Sequence, residues 1–284
     1  MKNLLIATDF STQAKHAAEY GYSLAKQLRA NVLLCNALLV PAEVPQAGLV
    51  VWPMEEQDIL MDGSTSELQR LKAHLEITDH TDKFRPAISY VNEVGTVADV
   101  VNSQVTDKTN LVVMSTHSGD FLGTLLLGDH SKNMIDCARQ LLLLVPPAAK
   151  VKPIKKIAFA TDFKTLDENV EAIYKLIPLA KMLNADILIA HVQRDKEQSP
   201  EFINWLKEFL VELSNCAGYP HIYYRIIKNA NTEGGLDWLC EHGDIDMLAM
   251  LHGKYNFIDR ILKGSYTQKM ADHIQIPLLV IPAV

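Results

Sequence analysis

Short apolar runs alternate with longer segments of helical periodicity along the whole chain. The run at 3–8 is followed by a segment whose small and apolar residues recur every three or four positions: Ala14, Ala17, Ala18, Gly21, Leu24, Ala25 and Leu28. This spacing predicts a strand and then an amphipathic helix. Further strands are predicted at 32–39, 85–91, 111–115 and 141–145, with helices around 55–76, 96–106 and 129–138. Five strands separated by helices indicate a parallel sheet with crossover connections.

The same order returns in the second half of the chain. The run Leu4-Leu5-Ile6-Ala7-Thr8-Asp9-Phe10 reappears as Ile157-Ala158-Phe159-Ala160-Thr161-Asp162-Phe163. Strands are predicted at 156–161, 186–192, 222–227, 247–251 and 278–281, with helices at 166–184, 200–215, 232–242 and 265–274. Thr165 and Glu168 have capping-box spacing at the start of the first of these helices. Pro178 lies inside that helix and predicts a kink or an early end.

A repeat of about 140 residues is domain-sized, because each copy can bury a core of its own. We therefore expect a first domain at 1–146, a proline-punctuated linker at 147–153 and a second domain at 154–284. The fold class is α/β, with two tandem open five-stranded parallel sheets that carry helices on both faces. The last strands, 141–145 and 278–281, are apolar on both faces and would invite association if left as free edges.

The first copy is longer than the second. Asp9 and Asp162 are 153 residues apart, whereas Met114 and Met250 are 136 apart, so 17 extra residues lie between the first and fourth strands. Most of them fall in the stretch 39–63, which is rich in proline and apolar residues, Trp52 among them. This stretch is either a lid or interaction surface or an insertion packed on its own domain.

Composition narrows the function. The net charge of -7 and the absence of a long Lys/Arg block argue against nucleic-acid binding. No secretory signal and no apolar run of about 18 residues is visible, so we expect a cytoplasmic protein without a membrane partner. The four cysteines have no metal-binding spacing, and we expect buried free thiols. The ten histidines suggest no metal site, and no common catalytic motif occurs.

In an open parallel sheet, ligands bind beyond the carboxyl ends of the strands where the strand order reverses. The residues after strands one and four are therefore the candidates. Thr8-Asp9-Phe10-Ser11 and Thr161-Asp162-Phe163-Lys164 follow the first strand of each copy. Ser115-Thr116-His117-Ser118-Gly119 and His252-Gly253-Lys254 follow the fourth.

These segments, the repeat and the later glycine turns resemble the universal stress protein family in its tandem form, over essentially the whole chain. The resemblance implies a strand order of 3-2-1-4-5, a fold like that of the adenine nucleotide alpha hydrolases, and a stress-response role. Nucleotide-binding members have Gly, two residues, Gly, nine residues, and then Gly-Ser or Gly-Thr. Glycines let backbone N–H groups approach phosphates, and a helix N-terminus favours an anion.

The family motif transfers unevenly. In the first copy Gly128 matches the third glycine and Ser131 keeps a later hydroxyl. Asp129, however, stands at the Ser/Thr position. Ser115 and Ser118 replace the early glycines, with His117 between them. A carboxylate beside a phosphate costs about 1 kcal/mol in water at 4 Å, and more at a lower dielectric. The second copy keeps Gly264-Ser265-Tyr266-Thr267. Strict counting places Leu251 and Lys254 at its early glycines, and a slip of one residue aligns His252-Gly253 with the family's His-Gly.

Four further residues complete the candidate site. Asp9 and Asp162 match the family's aspartate beside the adenosine, and Val192 matches the position whose backbone meets adenine. Ala160, at the end of the strand before Asp162, belongs to the same group. Each candidate also has a structural alternative: the aspartates could brace a turn, the glycines could serve a positive φ angle, and the histidines could be loop hydrogen-bonders.

The resemblance thus predicts a non-enzymatic tandem protein, an intramolecular pseudo-dimer that could dimerise further and that binds ATP, AMP or a related ligand, preferably in its second half. Mg²⁺ would accompany only ATP. The alternatives are an interaction scaffold with two degenerate sites, which binds through the loop around Trp52, and a weak ATP hydrolase.

Overall fold

The computed structural model describes residues 3–39, 54–80, 84–106, 109–116, 129–163, 166–193, 200–252 and 275–283. Its first half consists of β1 (Asn3–Ala7), α1 (Thr12–Leu28), β2 (Asn31–Leu38), α2 (Met54–Ile77), β3 (Ile88–Val94), α3 (Val97–Gln104), β4 (Thr109–Ser115), α4 (Asp129–Cys137) and β5 (Leu141–Val145). The second half consists of β6 (Lys156–Ala160), α5 (Leu166–Leu183), β7 (Asp186–Gln193), α6 (Pro200–Ala217), β8 (Ile222–Lys228), α7 (Thr232–His242), β9 (Met247–His252) and β10 (Leu278–Pro282). The helix expected at 265–274 and the capping residue Thr165 lie outside the described residues.

All ten strands form one continuous sheet in the order β3-β2-β1-β4-β5-β10-β9-β6-β7-β8. Each half therefore has the expected order 3-2-1-4-5, and its strands are parallel. The halves join through an antiparallel pair in which Leu278, Leu279 and Val280 face Leu144, Leu143 and Leu142. The two five-stranded parallel sheets expected from the sequence are present and join into one continuous sheet, because the two last strands, apolar on both faces, cover each other's edges.

Helices cover both faces of this sheet, and alternate strand residues point to opposite sides. Leu4 and Ile6 belong to the core beneath α1, α2, α5 and α6, whereas Leu5 and Ala7 belong to the core beneath α3, α4 and α7. Both cores contain residues of both halves. Helix α1 approaches β1 so closely that a Cβ on Gly21 would lie 2.8 Å from the Ile6 side chain, which accounts for a glycine inside a helix.

The segment between the halves is held against both of them. His16 Nε2 donates to the carbonyl of the buried Ala149 (2.8 Å). The Gln27 amide donates to the carbonyls of Ile154 (2.8 Å) and Leu183 (3.2 Å), and its oxygen accepts from the Ile154 N–H (3.0 Å). Because the halves also share a sheet and two cores, this segment is part of the packed structure, and the domain limits drawn from the sequence stay a prediction.

Helix α5 does not end at Pro178 but runs five residues further, to Leu183. Pro178 lies on the exposed side of the helix, while its neighbours Ile177 and Leu179 are buried. The carbonyl one turn earlier, which loses its N–H partner, can therefore be hydrated, and the buried face holds the helix together. The expectation of an early end is wrong.

The extra residues of the first half are spread over several elements. Helix α2 has 24 residues, whereas its counterpart α6 has 18. The connection that precedes α2 spans 39–53, and that before α6 spans 194–199. Because 40–53 lie outside the described residues, neither the lid interpretation nor the packed insertion is decided.

Candidate functional site

The strand order reverses between β1 and β4 in the first half and between β6 and β9 in the second. The carboxyl ends of these strands border the crevice where an open α/β sheet binds its ligand. Because β5 and β10 are antiparallel, the two crevices lie at opposite edges of the continuous sheet. The molecule therefore has two separate candidate sites.

The turn after β1 is tightly hydrogen-bonded. Thr8 Oγ1 accepts from the N–H of Phe10 (3.1 Å), which has a φ of 65°. Asp9 Oδ1 accepts from the N–H of Ser11 (3.0 Å) and from its hydroxyl (2.6 Å). The Ser11 hydroxyl in turn accepts from the N–H of Ala14 (3.1 Å) and caps α1. Asp9 thus has the turn-bracing contacts that the structural alternative expected, and its carboxylate is also exposed.

The turn after β6 has the same geometry. Thr161 Oγ1 accepts from the N–H of Phe163 (3.0 Å), which has a φ of 56°. A left-handed conformation is rare for a phenylalanine, so its occurrence at both turns shows that the repeat extends to backbone detail. Asp162 lies between these two residues and is half-buried. Ala160, the last residue of β6, is buried directly before the turn.

A polar side chain on the second strand of each half supports its turn. Asn36 Nδ2 donates to the carbonyl of Thr8 (2.8 Å), and His191 Nδ1 donates to the carbonyl of Thr161 (3.0 Å). The strand registers make these two residues counterparts, because Ala7 pairs with Cys35 and Ala160 with Ala190. Sequence reasoning did not single out either residue. The feature of the sequence that could have identified them is their equivalent position in the repeat, one residue before Ala37 and Val192.

Val192 lies beneath the first turn of α7. A Cβ on Gly235 would come within 2.5 Å of the Val192 side chain, so this glycine is what lets the helix approach β7. Val192 is half-buried, and the neighbouring Gln193 carbonyl accepts from the N–H of Asn229 (3.1 Å). The helix start is fixed by Asn231, whose side chain accepts from the N–H of Gly234 (2.6 Å).

An aromatic cluster covers the second-half turn. The Phe163 ring lies 5.4 Å from His191, 5.8 Å from Phe202 and 5.9 Å from Trp205, measured between ring centroids. Trp205 stacks on Phe209 at 5.4 Å. Edge-on and stacked rings at these distances stabilise one another beyond their simple burial. The cluster anchors α6 to the same turn that carries Asp162, and sequence reasoning did not find it.

The structure brings only part of the predicted site together. Asp162 and Val192, with Ala160, lie on adjacent strands at one edge, whereas Asp9 lies at the opposite edge. Asp129 and Ser131 lie in the first turn of α4, where only the backbone is described. The remaining predicted residues lie outside the described residues: His117, Gly128, Gly253, Lys254, Gly264, Ser265, Tyr266 and Thr267.

A cleft of about 1080 Å³ lies away from both crevices. It opens between α1, the residues after α2 and the segment 151–153. Inside it the buried Asp79 pairs with Lys26 and accepts from the Tyr22 hydroxyl (3.1 Å). Burial, followed by the hydrogen bond to Asp79, raises the pKa of Tyr22 to about 12. The cleft is lined by two acidic residues, Glu19 and Asp79, and two basic ones, Lys26 and Arg29.

Metal-binding clusters and membrane-spanning helices are both absent from the part of the chain that the structure describes. No group of three His, Cys, Asp or Glu side chains there could hold a metal ion. No helix among those same residues is long and apolar enough to span a bilayer. The four cysteines are free, but the expectation that all are buried is wrong: Cys35 is buried, Cys240 is half-buried, and Cys137 and Cys216 are exposed near helix ends.

The doubly wound sheet places the chain in the class of open α/β proteins with a mostly parallel sheet. The sequence model of the universal stress protein family matches residues 1–146, more than half of the chain. The chain belongs to the universal stress protein family. It therefore shares its family with proteins that are generally non-catalytic, and the family assignment suggested by its repeated motifs is confirmed.

Solved structures agree on the fold over the whole length. A universal stress protein from Archaeoglobus fulgidus is 12% identical and has a TM-score of 0.70, with 99% of this chain and 98% of that chain covered. A protein from Pseudomonas aeruginosa described as a putative universal stress protein is 11% identical, with a TM-score of 0.56 and coverage of 100% and 94%. At such identities the likeness concerns the fold alone. No curated protein matches the chain in a sequence comparison.

Proposed function

We propose that this protein binds an adenine nucleotide, AMP or ATP, at the carboxyl edge of its second half, without catalysing a reaction on it. Binding changes how the protein engages a partner during stress. The main observation in support is the position of three elements at the point where the strand order of the second half reverses: the Asp162 turn, Val192 and the end of β9.

Local geometry supports this position for the base and the ribose. Asp162 occupies a turn that hydrogen bonds hold on both sides, from Phe163 within the turn and from His191 on the next strand. A preorganised turn loses little conformational entropy when a ligand binds. Val192 is half-buried beside it, so its backbone borders the crevice where adenine would lie.

The sequence favours the second half over the first as the place where the phosphate binds. Ser265 follows Gly264 and could donate a hydroxyl hydrogen to a phosphate oxygen, whereas Asp129 stands at the corresponding position after Gly128. A carboxylate there removes the donor and repels the anion. We therefore propose one competent site for each chain.

The test exchanges the two residues. Isothermal titration calorimetry with AMP and with ATP plus Mg²⁺ would compare the wild-type protein with Ser265→Asp and Asp129→Ser. We expect Ser265→Asp to weaken binding at least tenfold, since it replaces a donor by a charge. Asp129→Ser serves as the matched control, because it changes the corresponding motif position in the other half and should leave the original binding intact.

Two results would overturn parts of the proposal. Absence of heat and of thermal stabilisation at millimolar nucleotide would remove nucleotide binding and favour the interaction scaffold. Phosphate release from ATP above a no-protein control, abolished in Asp162→Ala, would establish a hydrolase in its place.

A further inference from the structure

A side chain of the first half reaches the candidate site of the second. Asp136 Oδ1, in the last turn of α4, lies 3.4 Å from Nε2 of His252. His252 is the last residue of β9 and therefore lies at the carboxyl edge where the ligand of the second half is proposed to bind. Its side chain is mostly buried, whereas that of Asp136 is half-exposed.

The antiparallel junction explains this contact. Val280 faces Leu142, so the carboxyl end of β10 lies beside the amino end of β5. Helix α4 ends just before β5, and β9 runs parallel to β10 with His252 opposite Pro282. The amino edge of the first half is thus continuous with the carboxyl edge of the second. Two strands paired in this way place the end of α4 at the second-half crevice.

The other ring nitrogen of His252 indicates what this contact does. Nδ1 is enclosed, and no residue in the described part of the chain forms a hydrogen bond with it. Nε2 faces the Asp136 carboxylate in the last turn of α4, so the carboxylate fixes the ring orientation and leaves Nδ1 as the nitrogen available to a ligand. When the ring carries a proton on both nitrogens, Nδ1–H is a donor that requires an acceptor.

We infer that the second-half site is built from both halves: Asp136 orients His252, and His252 donates its Nδ1–H to an oxyanion of the bound ligand. The ligand class is a phosphate-bearing molecule, and in naming a nucleotide the inference rests on the proposed function. Asp136 is a positioning residue, since it acts through His252 and lies on the far side of the ring. The second half alone would hold a weaker site.

The experiment compares Asp136→Asn with Glu241→Gln. Glu241 is a matched control because it also pairs with a histidine, His242, at 3.8 Å, and its exposure resembles that of Asp136. Calorimetry with AMP should show binding about tenfold weaker in Asp136→Asn and unchanged in Glu241→Gln. Asp136→Glu should restore most of the affinity. In His252→Gln, adding Asp136→Asn should cause no further loss, since the two residues act as one unit.

A spectroscopic readout separates positioning from a purely structural role. In protein with ¹⁵N-labelled histidine, AMP and inorganic phosphate should each shift the Nδ1 resonance of His252, and the shift should shrink in Asp136→Asn. If AMP binds but Asp136→Asn behaves like Glu241→Gln, or if the double variant is additive, the inference is wrong and the proposed function stands.

Inorganic phosphate decides the remaining case. If AMP does not bind at all, the proposed function fails, while a phosphate-induced Nδ1 shift that needs Asp136 would still support the two-half anion site. If phosphate leaves Nδ1 unmoved as well, both proposals fall.

Discussion

The Asp246 side chain, in the loop before β9, contacts the residues at the start of the second half. Replacing it by alanine tests how much these contacts stabilise the protein. Its Oδ2 accepts from the N–H groups of Lys155 (2.8 Å) and Lys156 (3.0 Å), and its Oδ1 pairs with Lys152 Nζ (2.5 Å). The side chain is 13% exposed. We therefore expect Asp246→Ala to destabilise the protein.

The magnitude follows from these three contacts. The pair with Lys152 adds at most about 1 kcal/mol, because the lysine side chain is half-exposed. The two backbone bonds to a charged acceptor contribute about 1 kcal/mol each, less than fully buried ones, since the freed N–H of the exposed Lys155 can be hydrated. We expect a loss of about 2 to 3 kcal/mol for Asp246→Ala. Asp246→Asn keeps an acceptor oxygen and should lose about half as much.

The pH dependence of this effect has a definite sign. Partial burial acts to raise the pKa of Asp246, but the Lys152 ammonium and the backbone N–H groups of Lys155 and Lys156 outweigh it and hold the pKa below its ordinary value of 3.8. A lowered pKa in the folded protein means that the charged form is stabilised. The contribution is therefore fully present well above pH 3.8, and it is lost as the pH falls through 3.8 towards the lower folded value.

Urea unfolding followed by circular dichroism would measure both effects at pH 7 and pH 3. The control is Asp244→Asn, because Asp244 is almost fully exposed, pairs only with the Lys156 side chain among the described residues, and has a φ of 50° that asparagine also tolerates. Equal unfolding midpoints for the two variants at pH 7 would refute the reasoning. So would a difference between wild type and Asp246→Ala that persists undiminished as the pH is lowered.

Two further predictions concern the junction and the thiols. Gln27→Ala should lower the free energy of unfolding in urea by about 2 to 3 kcal/mol, since it leaves the N–H and carbonyl of Ile154 without their side-chain partner. The control Gln69→Ala removes one exposed hydrogen bond to Tyr90 and should cost little. Equal losses of stability in the two variants would contradict the role of Gln27. Iodoacetamide at pH 8 should alkylate Cys137 and Cys216 in the native protein but spare Cys35. Burial, with a smaller effect of Glu93, raises the pKa of the Cys35 thiol to about 12. Peptide mass spectrometry after brief labelling would measure this, and early modification of Cys35 would contradict its burial.

Hydrophobic periodicity and the repeat were enough to predict most of the fold. The strands and helices of both halves lie close to their expected places, because each element buries one regular face. The apolar character of 141–145 and 278–281 also pointed to the edges that pair. Pro178 misled the prediction, since a residue's effect on a helix depends on which side faces solvent.

The candidate site was harder to predict because its contacts depend on register and on the joining of the halves. Asn36 and His191 support the two turns only because their strands pair in a particular alignment. Asp136 meets His252 only because β5 and β10 run antiparallel. Neither relation leaves a local motif in the sequence. Asp9 and Asp162, by contrast, follow an apolar strand directly and could be found from position alone.

The stoichiometry of nucleotide binding tests the central claim most directly. Calorimetry of the wild-type chain with AMP, at protein concentrations well above the dissociation constant, counts the sites for each chain. The difference between Asp129 and Ser265 predicts one AMP bound per chain, with an affinity at least tenfold lower in Ser265→Asp. Two AMP per chain, or an unchanged affinity in Ser265→Asp, would contradict the account.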